Sequence, residues 1–304
     1  MEQHKIGTLY LVPTPIGNLE DITYRAVRVL QEVDLIAAED TRHTGLLLKH
    51  LDISTPLTSY HEHNKLVKGE QLIDDLLQGK DIAVVSDAGM PAISDPGAEL
   101  VEMALAAQVD VVPLPGPNAA LTALIASGLS AREFTFIGFL PKKSSHQQEL
   151  LQRIKGYEGT LIFYEAPHRL ISTLKTLYEG LGNRPIVLAR ELTKRFEEFL
   201  RSDLRTVVAE FDELVTQKGE FVLLVGGCAT SIETDVESTD QAISLSLTSK
   251  TATPSDYVAL VHNLMEQGLS KKDAAREVAK KLGVSRRVVY NAVEEFKEIT
   301  EEDL

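Results

Sequence analysis

The chain carries a single cysteine, Cys228, among its 304 residues. One thiol closes no intrachain disulfide and builds no thiolate cage for zinc. No run approaches the ~18 consecutive apolar residues that a bilayer-spanning helix needs. Residues Met1 to Tyr10 also hold no apolar stretch preceded by basic residues. The expectations are no membrane association and a cytoplasmic location. Positive charge is scarce as well: 31 Lys and Arg face 45 Asp and Glu, a formal charge of −14. A protein that coats polyanions by neutralising phosphate over its whole surface is therefore excluded, and any nucleic-acid contact is local. Neither G-x-G-x-x-G nor G-x-x-x-x-G-K-[ST] occurs, which removes two common glycine-rich phosphate cradles. What is present, 43% hydrophobic and 25% charged residues, is the balance of a chain that buries real cores.

From the start to about Gly227, short apolar and β-branched runs alternate with amphipathic stretches. That alternation is expected of α/β domains in which helices cross over between parallel or mixed strands. Strands are predicted at Ile6 to Val12, Asp34 to Ala38, Ile82 to Ser86, Val109 to Pro113, Phe134 to Phe139, Thr160 to Glu165, Pro185 to Ala189 and Phe221 to Gly226. Helices are predicted at Thr23 to Glu32, Lys65 to Leu77, Gly97 to Ala107, Ala119 to Ala126, His146 to Ile154, His168 to Tyr178 and Leu204 to Thr216. Pro115-Gly116-Pro117 cannot continue a strand, so it divides an α/β domain at 1–117 from a second at 118–228.

Beyond them, 12 of the 28 residues from Ala229 to Asp256 are Ser or Thr without periodicity, which reads as a linker over 229–254. Residues 255–304 read as a small helical domain. In it, Ala279 lets two helices approach, Gly283 turns the chain, Ser285 caps the next helix and Val289 packs back. Those features make a helix-turn-helix. Lys271 to Arg287 holds seven Lys or Arg against two acids, including Lys271, Lys272, Arg286 and Arg287. This is the local basic patch missing elsewhere, suited to nucleic acid; the plainer reading is a three-helix module with a solvated basic face. Glu294 to Leu304 reverses sign, with six acids and one Lys.

Glycine and proline gather at the carboxyl ends of predicted strands, where open α/β sheets bind their ligands. Three such loops stand out: Val12 to Leu19, with Gly17; Val84 to Gly97, with two glycines, two prolines and Asp87 and Asp95; and Pro113 to Ala120. Three on one edge favour a ligand cleft over unrelated turns. Loops rich in Asp and carbonyl groups suit a cationic or zwitterionic ligand better than phosphate.

Leu9 to Asn18, Glu39-Asp40-Thr41-Arg42, Ser86 to Gly97, Pro115 to Ala119, Tyr164 to Arg169 and Arg190 to Lys194 together resemble the bacterial ribosomal RNA small subunit methyltransferase I family of the tetrapyrrole methylase superfamily. The resemblance spans nearly all of residues 6 to 226, with the helical domain as a family-like extension. It implies two α/β domains of tetrapyrrole-methylase type, S-adenosylmethionine folded between them, and a homodimer; separately, no metal is expected. The implied reaction is 2′-O-methylation of a cytidine in the decoding centre of 16S rRNA within the small subunit. It also implies that Pro13, Gly17, Asp87, Gly89, Met90, Asn118, Ala119, Tyr164 and Val222 hold the cofactor. Ala88 stands where relatives have the proline of a Gly-Asp-Pro loop.

A ribose hydroxyl needs help in losing its proton, and a general base typically contributes about 10²- to 10⁴-fold. Glu39, Asp40, His43, His61, Glu165, His168, Glu191 and Lys194 are candidates for that work. Glu39, Asp40 and Arg42 follow a strand, where an acid beside Arg42 can position a ribose or phosphate; the bland alternative is a surface ion pair worth ~0–1 kcal/mol. Arg169 and Lys194 are placed to meet RNA phosphate, although Lys194 and Arg195 beside Glu197 and Glu198 also read as a solvated charged stretch. His61 and His63 would share one face of a strand but lack a third metal ligand. Two rival functions remain: methylation of a tetrapyrrole, which leaves the basic helical domain idle, and a DNA-binding regulator whose α/β part senses a small molecule.

Overall fold

The computed structural model describes residues 5–228, 254–266, 269–282, 288, 289 and 293. It divides into two compact units, Met1–Ser231 and Ile232–Leu304.

The first unit opens with β1 (Thr8–Leu11), α1 (Tyr24–Glu32), β2 (Leu35–Ala38), α2 (Thr41–His50), β3 (Leu57–Ser59) and α3 (Lys65–Leu77). β4 (Ile82–Val85), α4 (Ala98–Ala106) and β5 (Asp110–Pro113) complete its first half. These five strands form one sheet in the order β3-β2-β4-β1-β5, and every pair is parallel. Successive strand residues point to opposite faces, and both faces are covered. Ala83 and Val85 pack with Val29 and Leu30 of α1, whereas Ile82 and Val84 pack with Leu72 and Leu76 of α3 and Leu100 of α4. Burial on both faces is why β4 reads as the unbroken apolar run Ile-Ala-Val-Val. Thr23 caps α1 by accepting from the Ala26 N–H at 3.0 Å.

The second half runs through α5 (Ala119–Ser127), β6 (Phe134–Phe139), α6 (Ser144–Ile154), β7 (Thr160–Glu165), α7 (Leu170–Leu181) and β8 (Pro185–Arg190). β9 (Glu198–Asp203), α8 (Leu204–Ala209), α9 (Phe211–Leu214) and β10 (Phe221–Val225) follow. Its sheet has the order β6-β7-β10-β8-β9 and is mixed: β6 and β7 are parallel, while β10 runs against both β7 and β8. α6, α7 and α8 cover one face through Leu150, Leu174, Leu177 and Val207. α5 covers the other, setting Ala120, Ala123 and Leu124 against Ile162, Val187, Val222 and Leu224.

Three elements were not expected from the sequence, and two further segments differ from it. Thr41–His50 is a helix, β3 is a three-residue edge strand, and Glu198–Asp203 is an edge strand paired along its length with β8. The expected helix from Leu204 to Thr216 is two short ones, broken at Glu210. The segment with His61 and His63 is a turn rather than a strand.

In the second unit, α10 (Pro254–Glu266) and α11 (Lys271–Leu282) pack through Tyr257, Val261, Ala274, Ala275 and Val278. Ala279 and Val289 belong to the same core. Gly283, Ser285, Arg286 and Arg287 lie outside the described residues. No helix among the described residues is long and apolar enough to cross a membrane.

Candidate active site

A cavity of about 380 Å³ opens within the first unit, bordered by elements of both sheets. The first half supplies Ile16 from the loop after β1, Ala88 to Met90 and Ile93 to Asp95 from the loop after β4, and Asn118 and Ala119 at the start of α5. The second half supplies Phe139 at the end of β6, Tyr164 to Pro167 at the end of β7, Ala189 and Leu192 around the end of β8, and Glu220 to Val222 at the start of β10.

Local chemistry fixes the first wall. The loops after β1 and β4 are tied together by a short antiparallel bridge, Thr14 N–H to Gly89 O at 2.9 Å and Gly89 N–H to Thr14 O at 3.0 Å. The Thr14 hydroxyl donates to Ser86 O at 3.1 Å. Gly89 has φ +81°, and a Cβ there would lie 3.3 Å from Ile16 Cγ2 and 3.5 Å from Pro117 O. Close approach and a left-handed backbone both call for glycine. Pro13 does not border the cavity; it packs on Gly116, where a Cβ would fall 2.6 Å from its own. Gly17 is also behind the wall, against Leu192 O and the Lys194 side chain. Asn118 caps α5 by accepting from Leu121 N–H at 2.9 Å and sets its amide 3.4 Å from the Met90 sulfur. Ala92 and Ser94, neither a glycine, have φ of 65° and 64°, a strain of the kind concentrated at functional sites.

Glu39, Asp87 and Asp95 stand close enough for their charges to interact. Burial, reinforced by the charges of Glu39 and Asp87, pushes Asp95 up to about 6, against a hydrogen bond from Ser86 that favours the carboxylate. Glu39 is also raised, by burial and by Asp87, with His61 opposing. Asp87 accepts from the Asp40 N–H at 3.1 Å. Asp40 itself caps α2, accepting from Arg42 N–H, and pairs with the Arg42 guanidinium at 2.6 Å. The hydrogen bonds from Arg42 hold its carboxyl far below the usual range. Neither Asp40 nor Arg42 borders the cavity.

The second wall is aromatic and apolar, with Tyr164 edge-on to Phe136 at 4.9 Å and to Phe139 at 5.8 Å between centroids. A β-bulge between Phe136 and Gly138 brings Phe139 level with Tyr164. Glu165 is buried; it accepts from the Thr173 hydroxyl at 2.5 Å and the Ala166 N–H at 2.8 Å. Arg169 donates to Leu140 O at 2.7 Å and lies 3.6 Å from Glu165. Lys194 is no free solvated cation: it pairs with Glu191 and Glu220, both at 2.9 Å. His43 and His168 are exposed. His61 and His63 meet edge-on at 6.0 Å, and no group of three or more His, Cys, Asp or Glu among the described residues is placed to hold a metal. Lys271 and Lys272 begin α11 in the second unit.

Of the residues singled out in the sequence, the structure thus gathers Gly89, Met90, Asn118, Ala119, Tyr164, Glu165 and Val222 around one cavity, whereas Asp87 and Glu39 do not border it. Asp95 and Phe139 were missed. Asp95 shares a loop with Asp87, which was the available signal; Phe139 is aimed by a bulge whose signal was Gly138, a glycine inside the strand at φ +75°.

The sequence pattern of the tetrapyrrole (corrin/porphyrin) methylases matches residues 8–208. Among solved structures, the methyltransferase CobJ superposes with a TM-score of 0.56 at 21% identity, covering 73% of this chain and 95% of that one. A uroporphyrin-III-C-methyltransferase from Thermus thermophilus does so with 0.51 at 21%, covering 72% and 97%; both show a shared fold. A protein of Halalkalibacterium halodurans named ribosomal RNA small subunit methyltransferase I is 51% identical over 285 residues, 94% of each chain. Proteins of the same name from Bacillus subtilis and Synechocystis sp. are 47% and 46% identical, covering 94% of this chain and 94% and 96% of theirs. The chain belongs to the tetrapyrrole methylase family and, within it, to the ribosomal RNA small subunit methyltransferase I family.

Proposed function

We propose that the protein transfers a methyl group from S-adenosylmethionine to the ribose 2′-oxygen of a cytidine in the decoding centre of 16S rRNA, acting on the small ribosomal subunit as a homodimer. The observation that carries this reading is the 51% identity over 94% of both chains to a relative named for small-subunit rRNA methylation. The family motifs in the strand-end loops supply the finer expectation of a cytidine 2′-oxygen.

The residues present fit the methyl donor. Ile16, Met90, Leu192 and Val222 offer apolar surface for a flat heterocycle, and the close packing around Gly89 forms a cradle that a Cβ would crowd. The carboxylate of Asp95, with Glu39 and Asp87 close enough to act on it, makes the first wall favourable to positive charge. S-adenosylmethionine supplies an electrophilic methyl carbon on a sulfonium. The chain's task is then alignment and proton management, and orientation of reactants lowers such barriers by several kcal/mol. Asn118 and the β4 loop orient the donor side, while Tyr164, held edge-on by two phenylalanines, fixes the opposite wall. Lys271 and Lys272, with Arg286 and Arg287, are the residues proposed to meet RNA through phosphate contacts.

The test combines calorimetry with S-adenosylmethionine and transfer of tritiated methyl to 30S subunits, followed by digestion to nucleosides. Cofactor binding and a labelled 2′-O-methylcytidine are expected. Label on a tetrapyrrole but none on 30S subunits would transfer the activity to the rival substrate. No binding by folded protein rejects a methyltransferase outright.

A further inference from the structure

The loop that follows β6 combines an open aromatic ring with uncompensated positive charge. Phe139 borders the cavity and is 51% exposed, whereas the other aromatic rings on the lining, Tyr164 and Phe221, are half-buried and buried. Tyr164 meets the Phe139 ring edge-on at 5.8 Å between centroids, so its position is fixed while half of the side chain stays in solvent. The next two carbonyls are tethered: Leu140 O accepts from Arg169 and Pro141 O from the Gln147 amide, both at 2.7 Å. Lys142 and Lys143 follow, and both are exposed.

In a chain of net charge −14, Phe134 to Gln148 contains no acid. Two other cations are paired with acids of the lining, Lys194 with Glu220 and Arg169 with Glu165. No salt bridge among the described residues engages Lys142 or Lys143.

We infer that Phe139, Lys142 and Lys143 form a platform for the single-stranded rRNA segment that carries the target nucleotide, an inference that rests on the rRNA methyltransferase reading above. A nucleobase stacks on the open part of Phe139, and the lysines hold adjacent phosphates. RNA sequences are read mostly where bases are unstacked and can lie against aromatic side chains, and any base offers the π face that such a ring accepts. Three residues of chain span at most about 10 Å, so the ring and the ammonium groups reach one nucleotide and its neighbour together. The ring touches the cavity, which brings the stacked nucleotide to the place where the methyl donor is held. Arg169 acts through the Leu140 carbonyl and is a positioning residue for this loop.

The full-length protein is titrated with 30S subunits over a range of salt, alongside calorimetry with S-adenosylmethionine. Phe139→Leu keeps apolar bulk but loses the flat face, and is expected to weaken 30S affinity by about 5- to 100-fold. Phe139→Trp, in a chain that has no tryptophan of its own, restores the affinity. Lys142→Gln together with Lys143→Gln lowers the slope of log affinity against log salt by about 0.7 for each lysine. Cofactor affinity of that double variant stays within about threefold of wild type. An unchanged slope in the lysine variant, or wild-type affinity in Phe139→Leu, overturns the platform alone. So does a loss in Phe139→Leu that Phe139→Trp fails to restore, which is the mark of a packing role. If the wild-type protein labels a tetrapyrrole and not 30S subunits, the rRNA reading falls and the platform with it.

Discussion

The two sides of the cavity treat the acidic residues on and behind their walls in opposite ways. On the first, Glu39, Asp87 and Asp95 repel one another, and the backbone beside Asp95 is strained at Ala92 and Ser94. On the second, Glu165 is saturated by Thr173 and Ala166, and Glu191 and Glu220 share Lys194. Saturated acids build architecture, because a buried polar group with all its partners holds a chain in one conformation. Crowded, partly desolvated acids cost stability and are kept where chemistry or a cationic ligand uses them. On the proposed function, the first wall is the chemical one and the second a scaffold that shapes it.

Replacing a saturated acid gives the largest expected loss of stability. Glu165→Ala strands the Thr173 hydroxyl and the Ala166 N–H in a buried place, each at about 1–3 kcal/mol. Urea unfolding is expected to show a loss of roughly 2–5 kcal/mol, with calorimetric affinity for S-adenosylmethionine barely altered. A stable variant with collapsed affinity would move Glu165 to the chemical wall and erase the contrast. Next in size is Gly89→Ala, which forces a side chain into a φ of +81° and against Ile16. Strain of about 1–3 kcal/mol at the bridge between the β1 and β4 loops is expected to weaken cofactor binding by about 10- to 100-fold. Unchanged affinity would show that this close approach does not shape the ligand site.

Legibility in the sequence follows the same division. Strands buried on both faces, such as β4, β7 and β10, announce themselves as apolar runs, and α3 has the bounds its periodicity predicts. Edge elements do not. β9 reads Glu-Phe-Leu-Arg-Ser-Asp, a charged stretch that becomes a strand only because β8 pairs with it. α2 contains Thr41, Thr44 and Gly45, which are poor helix formers, and its one clear signal, Asp40 as a cap, was read as chemistry instead. The strand-end loops of the site were legible from glycine and proline. The coupling of Asp95 to Glu39 was not, since it exists only after β2 and β4 lie side by side in the sheet.

The smallest expected effect separates a cation that serves the fold from one that serves a substrate. Lys194 ends the Arg190 to Lys194 motif shared with the family, and in the sequence alone it suits RNA phosphate. In the folded chain it sits between Glu191 and Glu220, and those two hydrogen bonds, against the opposing effect of burial, raise its affinity for a proton. A cation already offset by two acids releases few counterions when RNA binds, so it contributes little to salt dependence. Lys194→Ala is expected to leave the slope of log affinity for 30S subunits against log salt unchanged. Stability falls by no more than about 1 kcal/mol, the usual range for a partly exposed ion pair. A slope reduced by about 0.7, the value for one single-strand phosphate contact, would put Lys194 on the RNA and show that the second wall also takes part in substrate recognition.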